Sequence, residues 1–151
     1  MDKVDATTFR LGLYSLPDDI TIIDRLYGMS YKDLPDFPYD NAHVFLMGSC
    51  QLFALALHKK FGYRIYVIMQ DKPLHWFCRF CYEGRYIYVD VRGATSDFEE
   101  FKAGIVEWKN APYCICSSNI NEDEELNEEW AEEGLLFANK IIEQFPEYYS
   151  I

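Results

Sequence analysis

Apolar positions along the chain change period from helical to alternating, and the change divides it into elements. Cys50, Phe53, Ala54, Leu57 and Phe61 recur at i, i+3, i+4, i+7 and i+11, one face of a buried helix, and Gly62 supplies a helix stop. Three strands are predicted next. Arg64–Met69 is β-branched and aromatic and too short for a helix, while His75–Cys81 and Arg85–Val91 are separated only by Tyr82-Glu83-Gly84, the spacing of a tight hairpin. Ser96 then predicts an N-cap with Glu99 completing a capping box, and Phe98, Phe101, Ile105 and Trp108 mark that helix's buried face. Tyr113–Cys116, after Pro112, predicts a short strand. One last helix is expected from about Asp123 to Glu143, with Leu126, Trp130, Phe137 and Ile141 turned inward and most acids between Glu122 and Glu133 facing water.

The first forty residues carry less pattern. Leu16-Pro17-Asp18-Asp19-Ile20 resembles a helix start, followed by an apolar stripe of Ile20, Ile23, Leu26 and Tyr27 that ends near Gly28. Two prolines in the segment from Tyr31 to Asp40 predict an extended aromatic loop leading to the Cys50 helix. With 151 residues, no internal repeat and this order of elements, the expectation is a single α+β domain over residues 1–151.

Composition narrows the function classes. A chain that is 50% hydrophobic and 17% aromatic is not a disordered one. A net charge of −11 argues against direct nucleic-acid binding, which needs a basic surface. It suits a soluble protein, a basic protein partner, or a decoy that imitates nucleic-acid charge. No apolar run approaches the roughly eighteen residues of a membrane span, and Met1-Asp2-Lys3-Val4-Asp5 lacks a signal-peptide layout, so a cytoplasmic location away from membranes is expected. The five cysteines (50, 78, 81, 114 and 116) are an odd number and are expected as free thiols. Cys78 and Cys81 have C-x-x-C spacing, but on a strand they point to opposite faces; Cys114 and Cys116 share a face without a four-ligand set. No metal and no cofactor are therefore expected.

Candidate chemistry begins at Gly48-Ser49-Cys50. In the first helical turn Cys50 meets unpaired N–H groups and the helix dipole, which favour a thiolate and hence a nucleophile. The same position also suits a small buried hydrophobe. If the hairpin leaves Tyr82 opposite Arg85, His75 falls opposite Arg92 and Phe77 opposite Asp90. His75 and Asp90 are then diagonal neighbours on one face, roughly 7–8 Å apart along the backbone. A four-residue loop keeps that parity, whereas a three-residue loop reverses it. His75 also reads as a polar strand end. Asp90 alternates with Ile87, Val89 and Val91 and shares the face of Tyr86 and Tyr88, where a carboxylate must be exposed or paired. His58, on the same helix as Cys50, lies about 12 Å from the thiol along the axis; His43 stands upstream in a loop.

A Gly-x-Cys at a helix start, a strand-borne His and a later Asp resemble, in that order, the papain-like and transglutaminase-like thiol enzymes, and in particular small bacterial members of that superfamily. The matching stretches are Gly48-Ser49-Cys50-Gln51-Leu52-Phe53-Ala54, His75-Trp76-Phe77 and Tyr88-Val89-Asp90-Val91-Arg92-Gly93, within residues 48 to 108. The resemblance implies a papain-like core with the nucleophile helix packed on a small antiparallel sheet. It implies Cys50 as nucleophile, His75 as general base and Asp90 as the residue that orients the imidazole. Papain-type enzymes take a second oxyanion donor from a glutamine shortly before the cysteine; this chain has none there, and Asn41 is the nearest upstream amide. The implied activity is cleavage or transfer of an amide or thioester acyl group on a protein or other amide-containing substrate, as a specialised amidase, deamidase, peptidase or acyltransferase. Two alternatives keep the same fold: an acidic interaction protein contacting a basic partner through Tyr31 to Tyr39 and Glu122 to Glu133, and a transglutaminase-like domain without activity.

Overall fold

A computed structural model of the chain describes residues 45, 48–102, 112–128 and 131–150. The expected helix after Asp18, the loop from Tyr31 to Asp40, Asn41, His43, Ile105, Trp108 and Trp130 lie outside these residues.

Helix α1 runs from Cys50 to Phe61, with Ser49 at its N-cap position. Gly62 ends it at φ 76°, a conformation open to glycine, and its N–H donates to the His58 carbonyl at 2.9 Å. Strands β1 (Arg64–Met69), β2 (Pro73–Tyr82), β3 (Arg85–Asp90), β4 (Gly93–Thr95) and β5 (Cys114–Ser117) follow. Helix α2 (Phe98–Lys102) lies between β4 and β5, and α3 (Glu122–Leu126), α4 (Ala131–Gln144) and a short 3₁₀ turn (Pro146–Tyr148) come last. The strands form one antiparallel sheet in the order β4-β3-β2-β1-β5, so the chain is α+β.

Alternation along the strands separates two apolar layers. On one face Ile65, Cys78, Ile87 and Val89 meet Leu52, Phe53, Ala56 and Leu57 of α1, with Phe137, Ile141 and Ile142 of α4 completing the core. On the other, Ile68, Phe77 and Tyr88 are covered by Phe101 of α2. The buried side chain of Tyr149 joins the first layer, and its hydroxyl donates to the Val91 carbonyl at 2.8 Å, tying the C-terminal segment to the end of β3. Cys78 is fully buried and Cys81 exposed, as opposite faces of β2 require. Among the described residues no helix is long and apolar enough to cross a membrane.

Three local expectations are corrected. Asp97, not Ser96, caps α2: its carboxylate accepts from the Glu100 N–H at 3.1 Å, while its own N–H donates to Thr95 Oγ1 at 3.0 Å. The single helix expected from Asp123 to Glu143 divides into α3 and α4. Asn121 caps α3 by accepting from the Asp123 and Glu124 N–H groups, and the turn that follows returns the Asn127 N–H to Glu124. Like charges one turn apart, such as Glu124 and Glu128, disfavour continuing that helix. Third, β4 is an additional strand, paired with β3 through Asp90 and Gly93 across a two-residue turn at Val91 and Arg92.

The β2–β3 hairpin has a two-residue loop, with Tyr82 opposite Arg85. Glu83 at φ 49° and Gly84 at φ 78° both occupy the left-handed region that the favoured hairpin turn demands. Glu83 is a poor residue for that position because its Cβ crowds the following carbonyl. Glu83→Asn, which supplies a residue tolerant of that conformation, is expected to stabilise the fold by about 0.5–1 kcal/mol. A urea midpoint that does not rise would show that the turn carries no such strain.

Candidate active site

The hairpin register decides where the buried polar groups meet. The β2–β3 ladder pairs Cys78 with Val89, so the next positions along bring Phe77 beside Asp90 and leave His75 one diagonal step away. His75 Nε2–H donates to Asp90 Oδ2 at 3.0 Å, with both side chains almost fully buried. The imidazole is walled by rings: Phe77 lies parallel to it at 6.4 Å between centroids and Phe101 tilted at 6.1 Å. Nε2 is committed to Asp90.

Asp90 is held from two further directions. Arg92 donates its backbone N–H to Oδ1 at 2.8 Å, and its side chain adds Nε–H to Oδ1 at 3.1 Å and Nη2–H to Oδ2 at 2.6 Å. The same Nη2 also donates to the Phe101 carbonyl at 2.9 Å, and the guanidinium carbon lies 5.1 Å from the centre of the Phe101 ring. Burial by itself would raise the Asp90 pKa, but the charge of Arg92 and the hydrogen bonds from His75 and Arg92 outweigh it. The carboxyl is held well below the usual carboxylate range. Charge-assisted bonds of this kind are what make a fully buried Asp–Arg pair tolerable.

Cys50 completes the cluster from the helix side. Its side chain is only 7% exposed, and the Trp76 backbone N–H donates to Sγ at 3.5 Å. Burial pushes the thiol up; hydrogen bonding and charge from His75, with the Trp76 and Gln51 backbone N–H groups, outweigh it and leave the pKa lowered. The converse holds at His75. Burial disfavours the imidazolium, but bonds to Asp90 and Cys50 and their negative charges raise its pKa to about 9. Thiol and imidazole are therefore biased toward a thiolate–imidazolium pair, the form in which a cysteine is nucleophilic.

Cys50, His75 and Asp90, the three residues singled out from the sequence, thus converge. Asn41 lies outside the described residues. His58 is set apart at the far end of α1, where its Nδ1 bonds the Tyr63 carbonyl at 2.6 Å. Two contributors escaped the sequence reading: the Trp76 N–H, which no side-chain pattern reports, and Arg92. Arg92 had a signal, a cation two residues beyond Asp90 in an otherwise apolar stretch. Among the described residues no three His, Cys, Asp or Glu side chains are grouped to hold a metal ion.

The pKa directions give signed expectations. Asp90 titrates lower in the folded than in the unfolded chain, so its stabilisation is present above about pH 4 and is lost as pH falls toward its native pKa. His75 is shifted the other way: its stabilisation is complete below about pH 6.5 and is lost as pH rises through about 9. In an NMR titration the His75 ring should stay protonated through neutral pH, and Cys50→Ala should lower its midpoint by removing an anionic neighbour. A midpoint that stays put in the variant would mean that thiol and imidazole do not interact. Arg92→Met leaves a buried carboxylate short of its cation and should destabilise the fold by about 3–5 kcal/mol in urea unfolding at pH 7.

No protein-family model matches this chain, and comparison with curated proteins and with solved structures likewise gives no match.

Proposed function

We propose that this chain is a papain-like or transglutaminase-like thiol enzyme that cleaves or transfers an amide or thioester acyl group on a protein or other amide-containing substrate. The observation that carries the reading is geometric: His75 Nε2 bonds the buried Asp90 carboxylate at 3.0 Å, and the N–H of the next residue, Trp76, donates at 3.5 Å to the Cys50 sulfur at the start of α1. The lowered thiol and raised imidazole accord with that arrangement. A cysteine kept only to fill a core would show the opposite shift, as Cys78 does: burial alone pushes that thiol above its ordinary value.

In the proposed cycle the Cys50 thiolate attacks the carbonyl carbon. The developing oxyanion is met by the Cys50 backbone N–H, which lies in the first turn of α1 and so lacks an intrahelical acceptor. Asn41 is the candidate for a second donor. The imidazolium of His75 gives its proton to the departing amine or thiolate, leaving an acyl-thioester on Cys50. Water or an acceptor amine, deprotonated by His75, then attacks that thioester and releases the thiolate. Asp90 stays ionised throughout, because Arg92 holds its proton affinity low, and its part is to keep the imidazole oriented and to stabilise its cationic form. In this role Arg92 is a positioning residue that acts through Asp90.

Iodoacetamide labelling of the full chain near neutral pH tests this reading. Cys81 and Cys114 are exposed and Cys50 is buried, so accessibility alone would direct the reagent away from Cys50. The expected result is that Cys50 reacts first, and that His75→Ala slows its alkylation by on the order of 10–100-fold, since an ordinary cysteine is only a few per cent thiolate at pH 7. Cys50→Ala should keep the fold and abolish acyl-transfer activity. Labelling in order of exposure, indifferent to His75, would overturn the proposal.

A further inference from the structure

We propose that Cys114 and Cys116 form a redox-active dithiol, separate from the Cys50 site, that exchanges with small-molecule disulfides by closing an intramolecular Cys114–Cys116 bond. The two residues occupy β5, which among the described residues borders only β1 in the sheet, with Cys114 opposite Met69 and Cys116 opposite Val67. Two residues apart on a strand, their side chains share a face. The sulfur atoms are 3.3 Å apart, Cys114 is exposed and Cys116 half-buried. The two sulfurs lie within hydrogen-bonding reach, where either thiol can donate to the other, and that contact raises the Cys116 pKa.

Backbone geometry sets the character of the bond. A strand rises about 3.3 Å per residue, which places Cα atoms of residues i and i+2 about 6.6 Å apart, near the long end of the roughly 4.4–6.8 Å span of disulfides. Bridging must pinch β5 locally. At the sheet edge that distortion disturbs one ladder of hydrogen bonds, where an interior strand would disturb two. A bond closed against such resistance is strained and readily reduced, the property of exchange-active disulfides as opposed to structural ones.

The exchange balances with a disulfide RSSR as oxidant. The more exposed thiol, Cys114, loses its proton and attacks one sulfur of RSSR, giving a Cys114–SR mixed disulfide and releasing RS⁻. The Cys116 sulfur, losing its proton in turn, attacks the Cys114 sulfur and expels the second RS⁻. Two protein thiols are oxidised to one disulfide, RSSR is reduced to two thiols, and the two protons pass to the two leaving thiolates.

Oxidised glutathione, incubated with the reduced full-length chain at neutral pH and quenched with acid, tests the proposal by intact mass and peptide mapping. The peptide carrying residues 114–116 is expected to lose two hydrogens without retaining glutathione, and excess reduced glutathione should restore both thiols. Cys116→Ser should halt at one glutathione on Cys114, because the resolving thiol is gone. A stable glutathione adduct on Cys114 of the unaltered chain, unreacted thiols at both positions, or a bridge that excess reduced glutathione fails to open would each overturn it. Because the readout lies on the 114–116 peptide, the result is independent of the chemistry proposed at Cys50.

Discussion

A carboxylate with almost no access to water is the constraint that organises this structure. Asp90 is 3% exposed, and an ion in that position is tolerable only where cations and donors surround it. Arg92 answers from the turn that follows β3, His75 from the adjoining strand. Each partner fixes something else. Arg92 reaches on to the Phe101 carbonyl, which seats α2 over the second face of the sheet, and His75, whose cationic form Asp90 favours, brings positive charge to Cys50.

Where β3 stops is equally consequential. It pairs with β2 only from Cys78 to Tyr82, so the earlier part of β2 has β1 on one side and no β3 residue on the other. The first turn of α1 occupies that place, and the Trp76 N–H, which an additional strand residue would have claimed, points at the Cys50 sulfur. A backbone donor that would otherwise go unsatisfied becomes part of the thiol's environment. The bias toward thiolate thus draws on helix position, strand length and a neighbouring imidazole together.

Much of this was readable because it depends on local periods. The α1 stripe, the strands and the β2–β3 hairpin follow from apolar spacing, and the placement of His75 and Asp90 on one face follows from counting by two across the turn. That count depended on Glu83-Gly84 acting as a two-residue loop, although glutamate is a poor choice for positive φ. The tertiary pairing of β2 with β3 overrides that local preference. The misread elements are those whose signal is short. Gly93-Ala94-Thr95 has little strand character of its own and is a strand because β3 offers an edge. The division of the terminal helix depends on crowded acids and an Asn cap, which an apolar stripe does not register.

The sequence by itself determined which residues carry alternating or helical faces, and hence that a thiol, an imidazole and a carboxylate were available on elements able to meet. Tertiary structure decided what those groups are chemically. Whether Cys50 is a core filler or a biased nucleophile turns on which charges stand within hydrogen-bonding reach in a medium that water barely enters. The Asp90–Arg92 pair, the Trp76 N–H and the shared environment of Cys50 and His75 arise only when strand ends, a two-residue turn and a helix start are brought together. Electrostatic bias of this kind falls off within a few ångströms and strengthens with burial, so it belongs to the folded arrangement and has no counterpart in linear spacing.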